Sequence, residues 1–428
     1  MSNKFINKDL INIVFSFGFK IIGAVLGFTI SVVLARQLGA SGIGVYNLSI
    51  SITALSIVIT KFGLDNALLR FIAEGYSNKN WAGIKGLHNQ SLRISITIGL
   101  VATVLIILNA GWISKFIFGN IALETPLRIM SLVILPNALI NLYSEIYKGL
   151  GKVKLATFLQ GACIPIVNIL LLLSLYNNIT VTLAILTYLS ANLIVIFTLW
   201  LGWIRITYHA KGIKGVFDRE KLVRTSFPLL WVSSMSLIID TMDTIMIGLL
   251  STSEEVGIYS SAAKIAFMSS MLLYAVNGVI GPKFSVFYSK GELKKLQSLS
   301  RKITGLTAMI SILIVTILFI FRNEIMLLFG DEFILGTTAF SFLILGQFFA
   351  LATGPVGSLL IMSGNEKYYK RNVMMCALMN LILNIILIPI LGMNGAAIST
   401  AISLSAKNIL SVIFVKKNLG FWMLPSLR

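Results

Sequence analysis

Lys20, Asp240, Asp243, Lys264 and Lys407 fall inside stretches of otherwise apolar sequence long enough to span a bilayer. A charge at the bilayer centre costs about 2.5–3.5 kcal/mol on insertion scales, so each is a functional candidate. Lys20 lies about ten residues, or roughly 15 Å of helix, inside the first such stretch. That is too deep for its side chain to reach the interface. Asn12, Ser16, Ala24, Gly27 and Ser31 share its helical face, a stripe of small and polar residues that suits protein or water rather than lipid. A lysine on such a face is a receptor for a phosphate-bearing substrate; the alternative is a structural pair with an intramembrane carboxylate.

Asp240 and Asp243 lie three residues apart, with Ser233 and Ser236 continuing their face. Buried carboxylates exchange protons readily and bind cations, which makes this pair a candidate proton or sodium site. Equally, one of them can neutralise Lys20 or Lys264. Lys264 and Lys407 each sit about two turns from a helix end, and Thr400, Ser403 and Ser411 share the face of Lys407. Arg70, just beyond the second helix, is placed to guide an anionic group inward or to touch lipid. Lys61 and Asp65 read as a local pair. Asn137, Asn141, Glu145 and Lys148 form a polar ladder, as do Asn380 and Asn384, and such ladders more often join helices than bind sugar.

The elements that position these residues follow from composition. Of 428 residues, 57% are hydrophobic and 12% charged, and the mean hydropathy is +0.90, which excludes a water-soluble domain. Apolar stretches predict about twelve membrane helices, near 10–34, 44–63, 94–110, 128–147, 154–176, 181–204, 227–250, 257–280, 303–321, 338–362, 372–391 and 395–415. The first is expected to be retained rather than cleaved. Of the 35 Lys and Arg residues, 27 fall on one side of this map and 4 on the other. Because cytoplasmic loops keep their cations, both termini are expected in the cytoplasm. The net charge of +19 then points to lipid phosphates rather than nucleic acid. Cys163 and Cys376 lie within helices, and neither a disulfide, a metal nor a cofactor is implied. Pro136, Pro165, Pro228, Pro355 and Pro389 mark kinks in or at the ends of helices.

Shifted by 213 residues, the chain matches itself. Gly44-Val45-Tyr46 meets Gly257-Ile258-Tyr259, Arg70-Phe71 meets Lys283-Phe284, Gly151 and Lys154 meet Gly364 and Lys367, and Cys163 meets Cys376. A small further shift aligns Phe118-Gly119 with Phe329-Gly330. These matches predict a duplicated six-helix unit. Six crossings return to the starting side, so the two copies would be parallel repeats: lobes 1–204 and 227–428 around a central cavity, joined by a basic cytoplasmic linker, 205–226.

Leu34-Ala35-Arg36-Gln37-Leu38-Gly39 with Gly44-Val45-Tyr46, and Pro228, Asp243, Gly248 with Gly257-Ile258-Tyr259-Ser260, resemble the polysaccharide transporter branch of the multidrug/oligosaccharidyl-lipid/polysaccharide exporter superfamily. So does Ser363-Gly364-Asn365-Glu366-Lys367. The resemblance implies an all-α, two-lobe bundle like that of the multidrug exporters. It also implies a Wzx-type flippase in the inner membrane, moving undecaprenyl-pyrophosphate-linked oligosaccharide, such as an O-antigen unit, to the periplasmic leaflet. Polysaccharide polymerase and chain-length proteins are further partners it implies. Lys20, Lys264, Lys407 and Arg70 would bind the substrate, and Asp240 and Asp243 would couple a proton or sodium ion. An ion-coupled antiporter of drugs or small molecules is the alternative, although it calls for an acidic cavity. A membrane enzyme would call for a larger outer loop or an intramembrane acid or histidine pair, and His88 and His209 are expected on the cytoplasmic side. No Walker A motif points to ATP. Reporter fusions after Ser251 and after Lys417 are expected to report opposite sides; the same side for both would overturn the twelve-helix map.

Overall fold

The computed structural model describes residues 2–175 and 179–423, with the side chains of 2–14, 16, 232, 236 and 238–240 outside the description. Among the described residues every regular element is helical. In hydrocarbon no water is available to backbone N–H and C=O groups, and a helix satisfies them within one segment. Helix starts are set by capping side chains: Asn80 accepts from Gly83 N at 2.8 Å, Thr180 from Leu183 N at 3.3 Å and Thr252 from Glu255 N at 3.2 Å. Each satisfies a donor that the first helical turn leaves open.

Nine described helices are long and apolar enough to cross a membrane, or ten if one bent pair counts as a single span. The sequence predicts twelve, and the difference has local causes. The first two predicted helices are one continuous element, Ser2–Lys61, broken at Gly39 with φ 68 and ψ 179. At about 1.5 Å per residue its 60 residues cover roughly 90 Å, enough for a crossing on either side of the break. The fourth is the bent pair Ile121–Ser131 and Ile134–Gly149, at 41°. The seventh is Arg219–Leu250, whose described apolar run is only Thr241–Leu250.

The chain forms two compact units, Met1–Ile245 and Met246–Arg428. The core of the first gathers Phe71, Tyr143, Ile146, Tyr147 and Leu199. That of the second gathers Phe284, Val356, Leu359, Leu360 and Val412, each 213 residues after its counterpart. The same offset separates the helix starts Glu124 and Thr337, and Val153 and Glu366. It also separates Gly151 (φ 76) and Gly364 (φ 72), whose left-handed backbone turns the chain between helices.

In the second unit, the turn between the last two helices is fixed by a carboxylate. Glu255 accepts the backbone N–H of Met393 at 2.8 Å and the hydroxyl of Ser251 at 2.5 Å. Gly392, with φ 56, lies against that carboxylate, which a β-carbon would strike. Gly392→Ala is expected to lower the thermal unfolding midpoint in detergent, costing about 1–3 kcal/mol. Glu255→Gln, which keeps an acceptor, should lose less than Glu255→Ala; equal midpoints for all four proteins would exclude this role.

Candidate functional site

In the first unit, the region around Lys20 is shaped by a proline. Pro165 has no N–H, so the carbonyl of Gly161, four residues earlier, lacks its α-helical partner. The helix accommodates this with a π-turn over Leu159–Cys163, in which carbonyls reach five residues ahead. Gly23 of the first helix packs directly on the Gly161 carbonyl, with no room for a β-carbon. Backbone therefore meets backbone, a contact that small residues allow within membranes. One turn earlier, the Phe19 ring packs edge-on against Phe158 at 5.2 Å. Lys20 stands between these two anchors and is exposed. Among the described residues it has no ion-pair or hydrogen-bond partner.

From the π-turn an amide ladder runs across three helices. Gln160 Nε2 donates to Asn141 Oδ1 at 2.8 Å, and Asn141 Nδ2 to Asn137 Oδ1 at 3.1 Å. Asn137 Nδ2 in turn donates to Asn192 Oδ1 at 3.1 Å and to Tyr188 Oη at 3.4 Å. The sequence reading found Asn137 and Asn141 but missed Gln160, Tyr188 and Asn192. Their signal was available: polar side chains inside apolar spans, and a glycine four residues before a proline. Glu145 and Lys148, expected on the same ladder, instead pair with each other at 2.6 Å. Lys61 and Asp65 likewise pair at 3.1 Å.

The other candidates are placed as follows. Arg70 is exposed, its guanidinium 5.8 Å from the ring of Phe71. Asp243 is half-buried. The side chains of Asp240, Asn12, Ser16 and Ser236 lie outside the described residues. In the second unit, Lys264 is exposed on Ser253–Met268, a helix that buries Val256, Ile258, Tyr259 and Ala262. Lys407 is half-buried, and its backbone carbonyl accepts from Asn372 Nδ2 at 2.8 Å and from Ser411 Oγ at 2.7 Å. Asn380 Nδ2 meets the hydroxyls of Thr400 and Ser403, each at 3.3 Å. Here too the amides join helices. His88 is sealed in the first unit's core, stacked on Trp203 at 4.1 Å, with Nε2 3.1 Å from Tyr143 Oη.

A protein-family model described as polysaccharide biosynthesis protein matches residues 10–287. The chain belongs to that family. A second model, MatE, matches residues 228–405. A curated relative, the probable low-salt glycan biosynthesis flippase Agl15 of Haloferax volcanii, is 26% identical over 401 residues, covering 91% of this chain and 80% of the relative. Among solved structures, the inward-facing multidrug resistance MATE family transporter of the MOP superfamily superposes with a TM-score of 0.77 at 14% identity, over 95% of this chain and 98% of that one. The lipid II flippase MurJ in an inward closed conformation gives 0.72 at 16% identity, over 94% and 87%. These likenesses establish the fold: a multi-pass, all-helical membrane protein of the MOP type.

The hydrogen-bonded amide ladder and Lys20, without a partner among the described residues, should respond differently to substitution. Asn141→Ala breaks the interhelical link to Gln160 and the link to Asn137 within its own helix, and is expected to destabilise the protein by about 0.6 kcal/mol, and at most about 1.7 kcal/mol, while Lys20→Ala leaves stability unchanged. Thermal unfolding of both proteins in the same detergent checks this; a larger loss for Lys20→Ala would make that lysine structural.

Proposed function

We propose that this protein is a transporter, not an enzyme, that flips a lipid-linked oligosaccharide across the membrane. The observation that carries the reading is Lys20: an exposed cation on the first helix, without a described partner, one turn before the Gly23 contact with the π-turn from which a half-buried run of amides begins. A phosphate group supplies the missing counter-charge, and amide and tyrosine groups suit sugar hydroxyls. Membership of the polysaccharide biosynthesis family and the glycan flippase relative support it.

In its finer form, the substrate is an undecaprenyl-pyrophosphate-linked repeat unit, O-antigen or related. It moves from the cytoplasmic to the outer leaflet of the inner membrane by alternating access of lobes 1–204 and 227–428. Linker 205–226 and both termini are cytoplasmic. Lys20, Lys264, Lys407 and Arg70 receive the pyrophosphate headgroup, while Asp240 and Asp243 couple movement to a proton or sodium gradient. The polyprenyl tail stays in lipid, so only the headgroup needs a polar path. The MatE match over 228–405 is the observation that favours a second reading, ion-coupled antiport of a small molecule.

The test is translocation of a polyprenyl-pyrophosphate oligosaccharide in proteoliposomes. Lys20→Ala is expected to lower the rate about tenfold or more, the scale of a lost charge-assisted bond to phosphate. Lys20→Arg should retain more activity, since it keeps the charge with altered geometry. Asp240→Asn and Asp243→Asn should leave substrate binding intact and remove the response to ion gradients. Wild-type rates for Lys20→Ala would remove that residue from the mechanism, and accumulation of small cationic drugs without glycan movement would favour antiport.

A further inference from the structure

The segment expected to be a basic linker has a defined structure on the first unit. Helix Val181–Ile206 ends at Thr207, whose hydroxyl donates to the Trp203 carbonyl at 2.9 Å. The chain then lies along the start of helix Trp81–Trp112 as a strap. Lys85 Nζ donates to the carbonyl of Ala210 at 2.6 Å, Val216 N to that of Ala82 at 2.9 Å and Gln90 Nε2 to that of Phe217 at 2.5 Å. The His209 ring packs edge-on against Trp81 at 4.5 Å. Gly86 and Gly215 meet backbone to backbone, where a β-carbon on either would collide with the other strand of chain.

These bonds use the strap's backbone and its inner side chains. What it turns outward is different. Tyr208 and Val216 are each 71% exposed and Ile213 44%; the exposed cations Lys211 and Lys214 stand between them, and exposed Arg205 just before. From 205 to 217 the sequence has no acid. The first one, Asp218, is occupied in accepting the N–H groups of Glu220 and Lys221. Position follows from length. Helix Val181–Ile206 has 26 residues, or about 39 Å, against a hydrocarbon layer of roughly 30 Å and a full bilayer of about 40–45 Å. Its end therefore delivers Tyr208 and the cations after it to the headgroup layer.

We propose that the strap, residues 205–217, is a docking surface for the headgroups of acidic phospholipids. Arg205, Lys211 and Lys214 meet lipid phosphates, and Tyr208, Ile213 and Val216 enter the interface beside them. The proposal is independent of the flippase reading, because it concerns the membrane around the protein and not its cargo.

Hydrogen exchange of the full-length protein in nanodiscs tests it. One set contains phosphatidylcholine alone, the other about one-third phosphatidylglycerol. Amides of 207–217 are expected to exchange about fivefold more slowly with phosphatidylglycerol, the effect of even one surface cation. Raising salt to about 0.5 M should remove the difference, because the screening length falls well below 10 Å. The K211Q/K214Q protein should lose most of the slowing while helix Trp81–Trp112 exchanges as before. Equal strap exchange in the two lipids would overturn the proposal, as would slowing that survives both high salt and the double substitution. Should the double variant misfold, the lipid and salt comparisons on the unaltered protein still decide.

Discussion

A backbone in hydrocarbon must satisfy its own hydrogen bonds, and the interruptions in this molecule's helices are where that requirement is met in another way. At Gly39 the first helix breaks with an extended ψ that a helical residue does not adopt. At Pro165 the lost donor is absorbed by a π-turn, whose carbonyl is covered by Gly23. At Gly354–Pro355 the helix stops and restarts, with Gly354 N paired to the Leu351 carbonyl at 3.0 Å and Val356 N to that of Gly354 at 2.8 Å. The break at Gly354–Pro355 is buried and those at Gly39 and Pro165 are half-buried, and glycine stands at each because the chain needs left-handed backbone or the closest approach.

Polar side chains within the spans divide by whether they are satisfied. The amides of Gln160, Asn141, Asn137 and Asn192 bond one another in a continuous line, so removing one mainly loosens helix packing. Lys20 has no such partner among the described residues. A cation left unsatisfied in a membrane protein is costly to keep, and a substrate that completes it gives a reason for its presence.

The two units share packing but not chemistry. Core positions and helix starts recur 213 residues apart, as Phe71 and Phe284 or Val153 and Glu366 do. The amide positions do not. At the same offset, Asn137, Asn141 and Gln160 become Ala350, Gly354 and Val373, while Asn372 and Asn380 correspond to Leu159 and Val167. Duplication of a fold preserves what the core requires; side chains outside the core are free to diverge, so each unit presents its own polar surface.

Much of this was legible in the sequence because the bilayer permits few solutions. Apolar runs of about 20 residues specify helices, and the matching Gly151 and Gly364 fall between predicted helices, where the structure displays left-handed backbone. The local pair of Lys61 and Asp65 was equally readable from its i,i+4 spacing. Which polar residues meet was not readable, because Gln160, in the π-turn before Pro165, reaches Asn141 on another helix only through the packing of the two. Nor was the order of the strap at 205–217, whose composition reads as a solvated linker. Its fixed path rests on the approach of Gly86 to Gly215 and on bonds from Lys85 and Gln90 to carbonyls more than a hundred residues away. Composition and periodicity fix what each segment is in isolation; contacts between segments distant in the chain are set by close packing in three dimensions, which only the folded backbone specifies.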